Sequence, residues 1–209
     1  MGGAVLLAAT STDQGSGAVA RPAAETPPST SSPVATATST VARTTTTLAL
    51  KPPVQEVKVV YYDVSGRTVE ELRQALERNG LVDTVDRTRV DALTEWYISW
   101  TYGPGRFDPR SVQVTGTATI TMPRWTPPPG ASERVVARWS RFVDALQKHE
   151  DKHADTMRRC SSALPSRVES ATSRADADGR ADALLAECNQ QDIDLDVSTD
   201  HGAKEGVIL

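Results

Sequence analysis

The chain is short of several things, and each shortage excludes something. Lys and Arg number 23 against 27 Asp and Glu, for a net charge of −4. That balance gives no electrostatic case for binding nucleic acid or an anionic membrane surface. No stretch approaches the ~18 consecutive apolar residues of a transmembrane helix. Only two cysteines occur, Cys160 and Cys188, and they lack C-x-x-C spacing, which argues against a cysteine-built structural zinc site. Histidine is scarce too, with three residues in 209.

Two of those three histidines fall in one turn. Lys148-His149-Glu150-Asp151-Lys152-His153 reads HExxH, a pattern that this composition would produce by chance roughly two times in a thousand. From Ser132 to Cys160 the apolar residues Val135, Val136, Trp139, Phe142, Val143, Leu146, Met157 and Cys160 recur at three- and four-residue steps. This is the stripe of a half-buried helix. His149 and His153 occupy the gap in it, so both imidazoles can meet one zinc ion. Glu150 is then placed to take a proton from the water the zinc holds. A solvated charged turn and a purely structural zinc site are the bland alternatives.

The chain length suits one domain plus an appendage. Residues 1–10 contain the short apolar run Ala4-Val5-Leu6-Leu7-Ala8-Ala9, a candidate remnant of an export signal, although it lacks a basic flank. Residues 11–53 are rich in Ser, Thr, Ala and Pro and have no aromatic residue. Such a segment buries too little apolar surface to offset chain ordering, so a disordered linker is expected. Stalks of this composition commonly lie outside the cell, which points to a secreted or cell-envelope address.

The folded part is expected over 54–209. Val57 to Tyr62 reads as a strand. Thr68 caps a helix with Glu71 three residues on, and Leu72, Ala75 and Leu76 form its inner face until Asn79-Gly80. Thr94 to Tyr102 and Ser111 to Met122 alternate as strands joined by a short loop, so antiparallel pairing is expected. The face bearing Trp96, Ile98 and Trp100 reads as core. Pro123 to Gly130 should end the sheet, and Pro165 should separate the HExxH helix from a second helical segment punctuated near Gly179. The fold class is therefore α+β. A small, mainly antiparallel sheet with one N-terminal helix packs on the HExxH helix and a C-terminal helical segment, in a zincin-like arrangement.

Several pieces together resemble one family. They are Tyr61-Tyr62-Asp63-Val64-Ser65-Gly66-Arg67-Thr68, Trp96-x-x-x-Trp100-x-Tyr102, Thr121-Met122-Pro123-Arg124-Trp125, the His149-Glu150-x-x-His153 helix and Thr199-x-His201-Gly202. Their order resembles the predicted secreted zinc-dependent proteases of bacteria, otherwise catalogued as a domain of unknown function. The likeness covers 56–206. It departs at Leu195-Asp196, where the family tends to show Tyr-Asp, so no tyrosine hydroxyl is available there. The resemblance implies export, one zinc ion and proteolysis.

Catalytic zinc takes three protein ligands. His201 is the last histidine and falls in the family's terminal motif, so the expected set is His149, His153 and His201, with Asp196 and Asp200 as carboxylate substitutes. If the chain reverses near Pro165, His201 reaches the site comfortably only if the second helix ends early or bends at Gly179. That bend would also bring Cys188 to Cys160, whereas a straight hairpin would keep them apart. The expected function is a zinc metallopeptidase with Glu150 catalytic and a peptide or protein as substrate. The alternatives are a non-enzymatic envelope module with a structural metal, and a cell-wall peptide amidase.

Overall fold

The computed structural model describes residues 50–83 and 87–209, and the backbone of residues 2–6. The linker expected over 11–53 lies outside the described residues as far as residue 49. The strands are β1 (Gly2–Leu6), β2 (Val54–Val64), β3 (Leu81–Val82), β4 (Arg89–Val90), β5 (Ala92–Thr101) and β6 (Gln113–Trp125). The helices are α1 (Val69–Asn79), α2 (Glu133–Val168) and α3 (Arg174–Thr199). No described helix is long and apolar enough to cross a membrane.

The main sheet has the order β1-β5-β6-β2. Strands β5 and β6 form the expected antiparallel hairpin, with Trp96 opposite Ala118. The other two pairings, β2 with β6 and β1 with β5, are parallel, so the sheet is mixed rather than mainly antiparallel. Connectivity explains the difference. Only β5 and β6 are joined by a short loop, whereas β2 is followed by α1 and the small β3–β4 pair before the chain re-enters the sheet. Parallel neighbours require such a long crossover.

Pro123 does not end the sheet. Beyond Thr121, the last β6 residue paired with β5, β6 continues beside β2 through Tyr62↔Pro123 to Val64↔Trp125. With a partner on one side only, this stretch tolerates a residue lacking an N–H. Helix α1 begins as its sequence demands: Thr68 Oγ1 accepts from Glu71 N at 3.2 Å, and Leu72, Ala75 and Leu76 are buried. The Glu71 carboxylate reaches back to Arg67 N at 2.6 Å rather than to the capping residue itself.

Helix α2 is 36 residues long, about 54 Å. It buries Trp139, Phe142, Leu146, Met157, Cys160 and Leu164 in the core it shares with the sheet and α3. Gly116 on β6 permits the close approach, because a Cβ there would stand 2.5 Å from Met157 Sδ. Pro165 lies inside the helix, one turn from its end, and the chain reverses only after Val168. A proline there removes one of the last backbone hydrogen bonds, and Pro165 itself is buried.

The later reversal changes the geometry of everything downstream. Helix α3 runs unbroken for 26 residues, straight through Gly179, and is capped by Ser173. It returns antiparallel to α2, and Arg167–Glu187, Cys160–Cys188, His153–Asp192 and His149–Asp196 are successive crossing pairs. The disulfide Cys160–Cys188 therefore forms without a bend, at a Cα separation of 6.4 Å. The inner face of β5 also anchors α3, since the Trp96 and Trp100 indoles donate to Asp192 and Asp178.

Candidate metal centre

Residues four apart on a helix share a face, and on α2 that face holds His149 and His153 between Leu146 and Met157. His149, Glu150 and His153 are each 0% exposed. The two imidazoles stand with ring centroids 5.1 Å apart, nearly perpendicular. Opposite them, the buried stripe of α3 runs Ala177, Ala181, Leu184, Cys188, Asp192, Asp196, Thr199. Its period carries it from apolar residues straight into two carboxylates. Asp196 Oδ1 lies 3.1 Å from His149 Nε2 and 3.2 Å from His153 Nε2.

The outer nitrogens have carboxylates of their own. His149 Nδ1 is 3.1 Å from Glu205 Oε2, and Glu205 also pairs with Lys152. His153 Nδ1 is 3.3 Å from Asp192 Oδ1. With each Nδ1–H turned to its carboxylate, both Nε2 lone pairs converge on Asp196 Oδ1. Three lone-pair donors at these distances need a cation or a proton among them. Both nitrogens of His153, Glu150 Oε1 and Asp192 Oδ1 are buried yet make no well-aligned hydrogen bond among the described residues. A metal ion suits this donor set, and His149, His153 and Asp196 form a group able to hold one.

The protein's own charges tell the same story. Burial pulls the His153 imidazole down, but the carboxylates of Asp192 and Asp196 outweigh it and hold the group at about 10. Burial works to raise Asp196, and the two imidazoles bring it instead to about 2. Without metal, then, His153 carries a proton at neutral pH and Asp196 does not. A metal taking His153 Nε2 displaces that proton, so binding at pH 7 should release about one proton. Calorimetry in buffers of different ionisation enthalpy measures this directly.

Because the folded pKa of His153 lies above its ordinary 6.5, the stability it supplies is fully present below pH 6.5 and disappears as pH climbs through 10. The melting temperature of the metal-free chain should fall across that window, and replacing His153 should flatten the slope.

Glu150 sits beside the cluster with one oxygen committed and one open. Thr94 Oγ1, on β5, donates to Oε2 at 2.8 Å, and Oε1 has no hydrogen-bond partner among the described residues. Burial pushes the carboxyl up to about 7, against the pull of both imidazoles and of Thr94. A carboxyl poised there exchanges a proton readily at neutral pH.

His201 does not join the group. Helix α3 ends at Thr199, and Asp200, His201 and Gly202 follow with φ of 53°, 48° and 81°. His201 N caps Asp196 O at 2.8 Å, and its ring, 23% exposed in side-chain terms, stands with Nδ1 3.9 Å from Asp196 Oδ1. The left-handed run brings the backbone over the His149 ring. A Cβ on Gly202 would meet Val207 Cγ2 at 2.7 Å and His149 Cγ at 3.1 Å. Gly202→Ala should therefore cost about 2 kcal/mol from crowding and positive φ. Thermal melts should drop by about 4–8 °C.

Sequence reasoning found His149, Glu150 and His153, and kept Asp196 only as a substitute. It missed Thr94, Asp192 and Glu205. The signal for Asp192 was available, as two aspartates four apart on the inward stripe of α3.

No curated protein and no solved structure matches the chain. A family model does match, over residues 59–202, from β2 to the turn that closes α3. That span holds every residue of the centre except Glu205, and covers well over half of the sequence. The chain belongs to that family, described as bacterial protein of unknown function (DUF922).

Proposed function

We propose that this domain is a zinc-dependent peptide-bond hydrolase acting outside the cytoplasm, with a zincin-like arrangement of its HExxH helix beneath the sheet. The observation that carries the reading is the pairing of a converging His149–His153–Asp196 donor set with an adjacent, half-committed Glu150. His149, His153 and Asp196 would hold the ion. Zinc supplies Lewis acidity there, which polarises a carbonyl and eases loss of a proton from water. Glu150 accepts that proton at Oε1 and returns it to the leaving amine, while Thr94 keeps Oε2 in place. Glu205 and Asp192 hold the two imidazoles from behind.

An extended peptide lying along β5 would gain main-chain pairing close to Glu150. That edge is taken by β1, with Ala4 opposite Thr94, so a substrate using it exchanges with Gly2–Leu6. Cell-wall peptide amides share the same carbonyl chemistry, and an amidase falls within the proposal. The stalk-like composition of 11–53 supports the extracytoplasmic address.

One observation favours a second reading. His149, Glu150 and His153 are all 0% exposed, as in a metal staple of a non-enzymatic envelope module. A peptide-library digest separates the two. A hydrolase yields fragments with zinc, none with chelator, and fragments again when zinc is restored. Absence of fragments under every condition would leave only the staple.

A further inference from the structure

We propose that Asp192 is a positioning residue that aims His153 at the metal, and that the Trp96 indole in turn fixes Asp192. The inference rests on the metal-centre reading above and extends it to a chain of groups running from the sheet to the ion.

Asp192 lies one turn before Asp196 on α3 and is 4% exposed. Its Oδ2 accepts the indole N–H of Trp96, a fully buried residue of β5. Its Oδ1 faces His153 Nδ1 at 3.3 Å, and neither atom has another hydrogen-bond partner among the described residues. Both neighbours are donors, an indole N–H on one side and an imidazole N–H on the other. Only a carboxylate accepts from both, because an amide of the same shape offers one acceptor and one donor. The chemistry of the site thus explains why an acidic side chain is buried at 192. Holding the proton on Nδ1 leaves Nε2 as the ligand atom, which is how outer carboxylates orient metal-binding histidines.

Glu205 does the equivalent for His149 but is 26% exposed in side-chain terms and shared with Lys152. Asp192 is 4% exposed and meets no competing cation among the described residues, so its loss should be felt more.

The test uses the full chain, zinc affinity by chelator competition, and the His153 imidazole N–H resonance in the zinc-loaded protein. Asp192→Asn should weaken zinc by about 10–100-fold and abolish the protected, downfield Nδ1–H signal. Trp96→Phe, which leaves His153 untouched, should weaken zinc by a smaller factor. Combining the two should recover part of the Asp192→Asn loss, because the amide oxygen is then free to turn to His153. Purely structural damage predicts the opposite, a double variant worse than either single. Glu205→Gln should cost less than Asp192→Asn.

Unchanged zinc affinity in Asp192→Asn, or a double variant with no recovery, overturns the proposal. Should Asp192→Asn fail to fold, unchanged affinity in Trp96→Phe overturns it as well. Peptide hydrolysis enters none of these readouts, so the clamp can fail while the hydrolase reading survives, or the reverse. A parent chain that binds no zinc removes both.

Discussion

Glu150→Gln should sharply reduce hydrolysis while leaving zinc binding and the fold intact. Glutamine keeps the volume and an oxygen able to accept from Thr94 Oγ1, which holds the present carboxylate at 2.8 Å. It cannot take a proton at the position of Oε1. General acid–base groups of this kind are worth about 10²–10⁴-fold in rate, so turnover should fall by that factor at saturating zinc. A structural-metal module would register no functional change.

The same substitution has a second, independent signature. Burial raises the Glu150 carboxyl to about 7, so ionising it in the fold is unfavourable. The stability that its protonated form provides is fully present below pH 4.5 and is lost as pH rises through about 7. Above pH 7 the metal-free glutamine variant should thus be more stable than the parent, by about 3 kcal/mol at most. Paired melts at pH 5 and pH 8 read the difference. Equal melting shifts at both values would contradict the burial argument.

Asp196→Ala should cost more zinc affinity than any outer-partner substitution, beyond the ~100-fold upper end of such effects. It removes the oxygen that stands 3.1 Å and 3.2 Å from the two Nε2 atoms. It also leaves the His153 imidazole without one of the two carboxylates that keep it charged when metal is absent. His201→Ala should change affinity only a few-fold, because its ring stands 3.9 Å from Asp196 Oδ1 and outside the converging trio. The reverse ranking, with His201 essential and Asp196 dispensable, would return the ligand set to three histidines. Chelator competition on both variants decides between them.

Much of this architecture could be read from residue order. Local signals with one physical meaning carried over directly. Thr68 and Glu71 start α1, alternation in β5 and β6 sets their hairpin, and the stripe from Val135 to Cys160 defines the helix that bears HExxH. The same stripe explains why both histidines face inward.

Readings that depended on a breaker residue fared worse. Pro123, Pro165 and Gly179 each stand inside a regular element, because the packing of the whole element outweighs a local preference; Gly179 itself is exposed, but Ala177 and Ala181 on either side are buried. Pro165 had the largest consequence. Placing the reversal there put the wrong residues of the two helices side by side. Shifting it beyond Val168 aligns Asp192 and Asp196 with His153 and His149, and brings Cys188 to Cys160 on a straight helix. The parallel pairing of β2 with β6 was equally hidden, since no local pattern tells a strand which distant neighbour it will join. Asp192 was overlooked because an aspartate on a helix ordinarily reads as surface. The four-residue steps from Cys188 through Asp192 to Asp196 placed it on the inward stripe, but its partners Trp96 and His153 are distant in sequence.

Zinc-edge anomalous diffraction from crystals of the loaded full chain interrogates the centre without relying on turnover. A single strong peak bonded to His149 Nε2, His153 Nε2 and an Asp196 oxygen, with Glu150 alongside, is the expected outcome. A peak elsewhere, or one whose third protein ligand is His201 with Asp196 turned away, would contradict it.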